Sequence, residues 1–157
     1  MKYRKTVEKV ELSRFMRRWF VIAGRTTFLE RGAHNATESY TWNEARKRID
    51  IDFKFNKDSF EGTLKSIPQK GWVENQTTNA HWKVSPFWPI KADYLIIGLD
   101  PGYRWTAVGV PSQNYLWIMA STPEMSDGEL KKILEQVAAT GYSIEEVKRV
   151  PQQPGPR

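Results

Sequence analysis

Cysteine is absent from the 157 residues, which removes disulfides, thiolate metal sites and thiol catalysis from this chain. A lipid joined through an N-terminal thioether would need the same missing residue. No run approaches the roughly 18 apolar residues of a membrane helix. Histidine is scarce: His34 and His81 are far apart, and neither stands in a metal-ligand or nucleophile pattern. Carboxylates are plentiful, but no pair is held by spacing at a recognisable site. Asp100-Pro101-Gly102 is a turn, not a phosphate loop, because Pro presets φ and Gly accepts a positive one. These gaps argue against an enzyme, a cofactor or a bound metal. Asn35-Ala36-Thr37 and Asn75-Gln76-Thr77 match the glycosylation triplet, which carries no meaning without export.

The N-terminus, Met1-Lys2-Tyr3-Arg4-Lys5, is basic but runs into Thr6-Val7-Glu8-Lys9 rather than an apolar stretch. It does not read as a signal peptide. A trimmed chain given a new initiating Met would read the same way.

What the chain does have is aromatic surface, at 13% of residues with seven Trp, too much for a disordered segment. The net charge of +6 invites anionic partners such as nucleic acid, lipid head groups or fatty acids. Most basic residues alternate with acids, as at Lys54, Lys57 and Asp58. Arg14, Arg17, Arg18, Arg25 and Arg31 instead accumulate in the N-terminal third. They read first as a solvated rim and second as a face for peripheral contact with an anionic membrane.

Between Arg48 and Phe55 an apolar residue stands at every second position with a charge between each pair. That is the period of a strand with one dry and one wet face. Similar stretches run from Trp19 to Thr26, Asn35 to Trp42, Arg46 to Asn56, and through Phe60, Gly62 and Leu64 until Pro68 and Gly71. Others follow Asn79 through Trp82 and Val84, then Asp93 to Leu99, Arg104 to Val110, and Tyr115 to Ser121. Pro86 and Pro89, with Phe87 and Trp88, should stop regular pairing. Asp93 to Leu99 is almost continuously apolar and suits a strand buried on both sides. A short helical turn near Ser13 to Met16 should plug one end with Phe15 and Met16.

The period then changes. Leu130, Ile133, Leu134, Val137 and Ala138 fall at helical spacing, Ser126 and Glu129 form a capping-box pair, and Gly141 stands at the C-terminal cap. A single apolar stripe places this helix against the outside of the sheet. A final strand near Glu146 to Val150 precedes a Pro- and Gln-rich tail expected to be mobile. The predicted organisation is an N-terminal extension over 1–12, one barrel domain over 13–150 and a tail over 151–157. The fold class is mainly β: an eight-stranded antiparallel up-and-down barrel with one C-terminal helix packed outside.

Several segments in this order resemble the lipocalin family. They are Phe15-Met16-Arg17-Arg18-Trp19-Phe20-Val21-Ile22-Ala23, Phe28-Leu29-Glu30-Arg31-Gly32, Lys91-Ala92-Asp93-Tyr94 and Tyr115-Leu116-Trp117-Ile118-Met119-Ala120-Ser121-Thr122-Pro123, followed by the helix and Gly141-Tyr142. The likeness covers Val10 to Gln153 and is greatest to the bacterial outer-membrane type, related to plant temperature-induced lipocalins and apolipoprotein D. Two signature positions depart from the pattern. Arg17 stands where the family has Gly, and Ser121 where it has an Arg that packs across Trp19. The missing guanidinium is expected from Arg17 or Arg18 instead, so Arg17, Arg18, Trp19 and Ser121 form the expected barrel floor.

The resemblance implies a carrier of small hydrophobic ligands, fatty acids or lysophospholipids, located in the periplasm or at the outer membrane if an export segment precedes this sequence. Without one, the cytoplasm fits equally. The period-2 reading turns Val21, Ala23, Ile51, Phe53, Phe55, Phe60, Leu64, Trp82, Val84 and Met119 inward as candidate ligand contacts. By resemblance to apolipoprotein D, Tyr40 and Trp117 line the cavity. Glu38, in register with Tyr40, also faces inward, either to hold a polar head group or to pair with an Arg near the rim. Two other readings stand beside this one. A barrel filled by its own side chains would act through its surface, and a basic barrel with exposed rings would bind single-stranded nucleic acid. No nucleic-acid partner is expected, because the rings alternate with charges and so face inside.

Overall fold

The alternation between Arg48 and Phe55 becomes the third strand of a closed barrel. The computed structural model describes residues 2–26, 32–85 and 91–154. Its elements are α1 (Leu12–Phe15), β1 (Arg18–Arg25), β2 (Ala33–Asn43), β3 (Arg48–Lys57), β4 (Leu64–Val73), β5 (His81–Ser85) and β6 (Ala92–Leu99). They continue as β7 (Trp105–Gly109), β8 (Leu116–Ala120), α2 (Asp127–Ala139) and β9 (Lys148–Arg149). Each of β1 to β8 pairs antiparallel with the next, and β8 returns to β1. The result is an eight-stranded barrel with a helix and a short strand outside it. Phe28 to Arg31, Pro86 to Pro89 and residues 155–157 lie outside the described residues.

Two apolar layers explain the pattern. The inner layer gathers Trp19, Val21, Tyr40, Ile51, Phe53, Phe55, Trp82, Val84, Tyr94 and Met119. The outer layer puts Phe20, Ile22, Leu95, Ile97, Leu116 and Ile118 against Leu130, Ile133 and Val137 of α2. β6 and β8 are therefore covered on both faces, which is why the Asp93–Leu99 run does not alternate. On β3 only the inner face is covered, and its charges stay in water. α2 begins as its sequence dictates: Ser126 Oγ accepts from the Glu129 amide at 3.1 Å, and Gly141 follows at φ 95°.

The fourth strand departs from the sequence expectation. Residues 58–63 form a turn in which the Lys57 amide donates to Thr63 O and that of Gly62 to Ser59 O, and Asp58 takes φ 66°. Phe60 is in this turn, its ring edge-on to His34 at 5.2 Å, and does not belong to the inner face. Leu64 opens β4 and is 60% exposed. Pro68 and Gly71, taken as stops, pair inside β4 with Asp52 and Ile49. Among the described residues β4 meets β5 from Lys70 to Val73, and Pro68 pairs with Asp52 of β3.

Ala23 also departs. A register shift between Val21 and Ala23 in the β1–β8 ladder adds one residue, so Ile22 and Ala23 both turn to the outer layer. A strict period of two cannot anticipate that flip.

The tail is anchored as far as Gln153. Val150 N–H donates to Ile22 O and Asn35 N–H to Pro151 O, each at 2.8 to 2.9 Å. The Gln152 amide donates to both Val21 O and Ala36 O. The N-terminal stretch is tied in as well: Val10 is fully buried, and Tyr3 stacks edge-on against Tyr142 at 4.9 Å.

Candidate ligand-binding cavity

Side chains fill one end of the barrel. Phe15, delivered by α1, lies 5.2 Å from the Trp19 and Tyr40 rings and 5.5 Å from Trp82. Trp19 Nε1 donates to Phe15 O, and Trp82 Nε1 to Asn79 O, so neither indole is buried with an unmet donor. The Arg17 guanidinium sits 5.3 Å from the Trp19 ring centre and donates to Tyr103 O at 3.1 Å. Arg18 covers Phe20, in the outer layer, at 4.8 Å. The backbone of Ser121 donates to Arg104 O, and the Arg104 side chain is engaged with Asp100. The cation over Trp19 therefore comes from Arg17, two residues before it, and not from the Ser121 position.

The other end holds a cavity of about 470 Å³. Trp117, Tyr94, Val84 and Ala92 form its apolar wall, with Val110, Pro111 and Tyr115 from the β7–β8 connection. Lys2, Thr26, Asp93 and Ser112 bring the polar groups of its mouth, and Glu38 and Gln69 its inner polar groups. Larger hollows of about 930 and 680 Å³ lie on the outer surface, the first along Asp50, Lys54 and Lys70, the second beside Glu124 and Arg149. Their charged walls suit water better than an apolar ligand.

Where the filled end meets the cavity, three polar side chains are linked. Tyr40 donates to Glu38 Oε2 at 2.6 Å and lies 2.5 Å from the Tyr94 hydroxyl. Tyr94 in turn stacks on Trp82, ring centres 4.9 Å apart and planes 5° apart. Burial pushes the Glu38 carboxyl up to about 7, against the lowering effect of the Tyr40 hydrogen bond. Burial, with the nearby Glu38 charge, also raises both phenols well above their ordinary value. Among the described residues no three His, Asp or Glu are grouped to hold a metal.

Of the residues singled out by sequence, Glu38, Val84 and Trp117 line the cavity. Val21, Tyr40, Ile51, Phe53, Phe55, Trp82 and Met119 belong to the inner core but not to the wall. Ala23 is in the outer layer, Phe60 in a turn and Leu64 in solvent. Sequence reasoning missed Tyr94, Gln69 and Tyr115. Tyr94 was hidden because the doubly covered β6 has no alternation to reveal its inward face. Its register opposite Trp82 was the signal that could have found it.

A family model for the lipocalin-like domain matches residues 10–152. The chain belongs to the lipocalin family. It is 30% identical to the outer membrane lipoprotein Blc of Escherichia coli (strain K12) over 149 residues, covering 95% of this chain and 82% of that protein. It is 27% identical to temperature-induced lipocalin-1 of Arabidopsis thaliana, covering 96% and 83%. Among solved structures, insecticyanin from the tobacco hornworm Manduca sexta superposes with a TM-score of 0.69 at 12% identity, over 93% of this lipocalin and 82% of that chain. The lipocalin fold and the Blc homologues support binding of small hydrophobic ligands in general. No described helix of this lipocalin is long and apolar enough to cross a membrane.

Proposed function

We propose that the chain binds a single-chain lipid, a fatty acid or a lysophospholipid, in the cavity at the open end of the barrel. The observation that carries this reading is the cavity itself, about 470 Å³ with Trp117, Tyr94 and Val84 on its wall. A preformed apolar space of a few hundred Å³ suits one small ligand, and each buried CH₂ contributes about 0.8 kcal/mol. A fully packed interior acting through its surface fits less well, since among the described residues only the closed end is filled. A nucleic-acid platform is disfavoured because Trp19, Phe53, Phe55 and Trp82 are buried inside. Resemblance to outer membrane lipoproteins makes an envelope location the matching proposal, with the basic N-terminal third facing an anionic membrane surface.

The test is a titration of delipidated protein with a long-chain fatty acid and a lysophospholipid, followed by tryptophan fluorescence. Saturable binding that Trp117→Ala weakens supports the carrier. No binding by folded protein overturns it in favour of a surface-acting barrel.

A further inference from the structure

Both phenolic protons of the Glu38–Tyr40–Tyr94 cluster are already committed. Tyr40 has one O–H, and it points at Glu38 Oε2, so the hydrogen bond between the two phenols must be donated by Tyr94. The chain of donors ends on the carboxylate. Glu38 Oε1 accepts no hydrogen bond from any described residue, although the side chain is only 7% exposed and borders the cavity. That oxygen is not sealed among protein atoms but opens on the cavity, where a donor on a ligand can reach it.

No described cation stands beside this oxygen. The Cα partners of Glu38 across the sheet are Trp19 on β1 and Phe53 on β3, and the other charges bordering the cavity are Lys2 and Asp93. The absence of a cationic effect is also visible in the carboxyl, which burial raises to about 7 with only the Tyr40 bond opposing. Beside Oε1 itself the described residues offer an anion no positive charge, and Lys2 stands at the mouth.

We infer that Glu38 Oε1 is the polar anchor of the cavity and selects an amphiphile whose inserted end donates a hydrogen bond, an alcohol or an amine, over one ending in a carboxylate. The inference rests on the cavity-binding reading above and narrows it, since a fatty acid inserted head first becomes the disfavoured ligand. An inserted carboxylate would meet a second carboxylate, and like charges at one buried site oppose each other. An alcohol gives its proton to Oε1 and completes the cluster. An ammonium does the same and adds an opposite charge, at the cost of its own desolvation.

Dodecanol, dodecylamine and dodecanoate share one chain and differ only in the head. Titrated into delipidated protein at pH 8.5 and followed by tryptophan fluorescence, the alcohol and amine should bind about tenfold tighter than dodecanoate. Glu38→Gln keeps an oxygen for Tyr40 and turns an N–H₂ donor towards the ligand, so it should abolish or invert that order. Equal affinities in the wild type, or an order that Glu38→Gln leaves unchanged, overturn the inference and leave the carrier intact. Failure of all three to bind overturns both. Should Glu38→Gln not fold, the wild-type order decides alone.

Discussion

The two ends of this barrel are built from the same strands and the same inner-face period, yet one is solid and the other hollow. At the closed end α1 inserts Phe15 between Trp19, Tyr40 and Trp82, and the indole N–H groups find backbone acceptors. At the open end no such plug exists among the described residues, and Trp117, Tyr94 and Val84 border space instead. The four helical residues make part of the difference, adding Phe15 to rings that β1, β2 and β5 supply. Stability should therefore reside at one end and ligand selection at the other, with the Glu38–Tyr40–Tyr94 cluster as the boundary.

That division can be broken most severely at the filled end. Trp19→Ala removes a fully buried indole, and urea unfolding should show a loss of about 3–5 kcal/mol. A similar loss from truncating a cavity-wall residue would contradict the division.

The boundary itself should respond to pH. Glu38 is held near 7 in the folded chain against 4.5 as its ordinary value. Below pH 4.5 the carboxyl is protonated in both states and carries no penalty. Between 4.5 and 7 the unfolded chain ionises first, so stability falls as pH rises, by about 3 kcal/mol in total. Asp100, held below 3.8 by its Arg104 hydrogen bonds, acts with the opposite sign and only in stronger acid. Urea titrations at pH 5 and pH 8 should show the drop in the wild type and its absence in Glu38→Gln.

At the hollow end, Trp117→Ala should weaken lipid binding about tenfold while changing unfolding by only about 1 kcal/mol. Fluorescence titration and urea unfolding of the same sample sharpen the comparison directly. The smallest effect belongs to Arg17→Ala, which removes the cation over Trp19. Its expected cost is about 0.5–1 kcal/mol, with lipid affinity unaltered.

The sequence made the fold legible wherever only one face of a strand is covered. Arg48 to Phe55 alternates because β3 has water on its outer side, and its register follows. Where α2 covers the outside, at β6 and β8, the alternation vanishes and Tyr94 could not be assigned a direction. Ala23 was misassigned for a different reason, a single added residue that no composition signals. Phe60 and Leu64 were misread because an alternating triplet crosses a turn that Asp58 and Gly62 in fact shape. Of the cavity, Glu38, Val84 and Trp117 were accessible to strand parity or resemblance. Gln69 was not, because Pro68 was taken as the end of its strand, and Tyr115 was not, because it lies in the β7–β8 connection.

The Gln152 side chain gives the seam between β1 and β2 a further meaning. Those strands pair through Phe20 and Thr37, and the next rung would join Val21 to Ala36. There the Gln152 amide donates to both carbonyls, standing in for the missing ladder. The first two strands of the barrel are thus sutured by a residue that lies beyond its last strand. Until position 152 has emerged the cylinder has an unstitched edge, and a nascent or stalled chain carries a sticky strand border that complete protein hides.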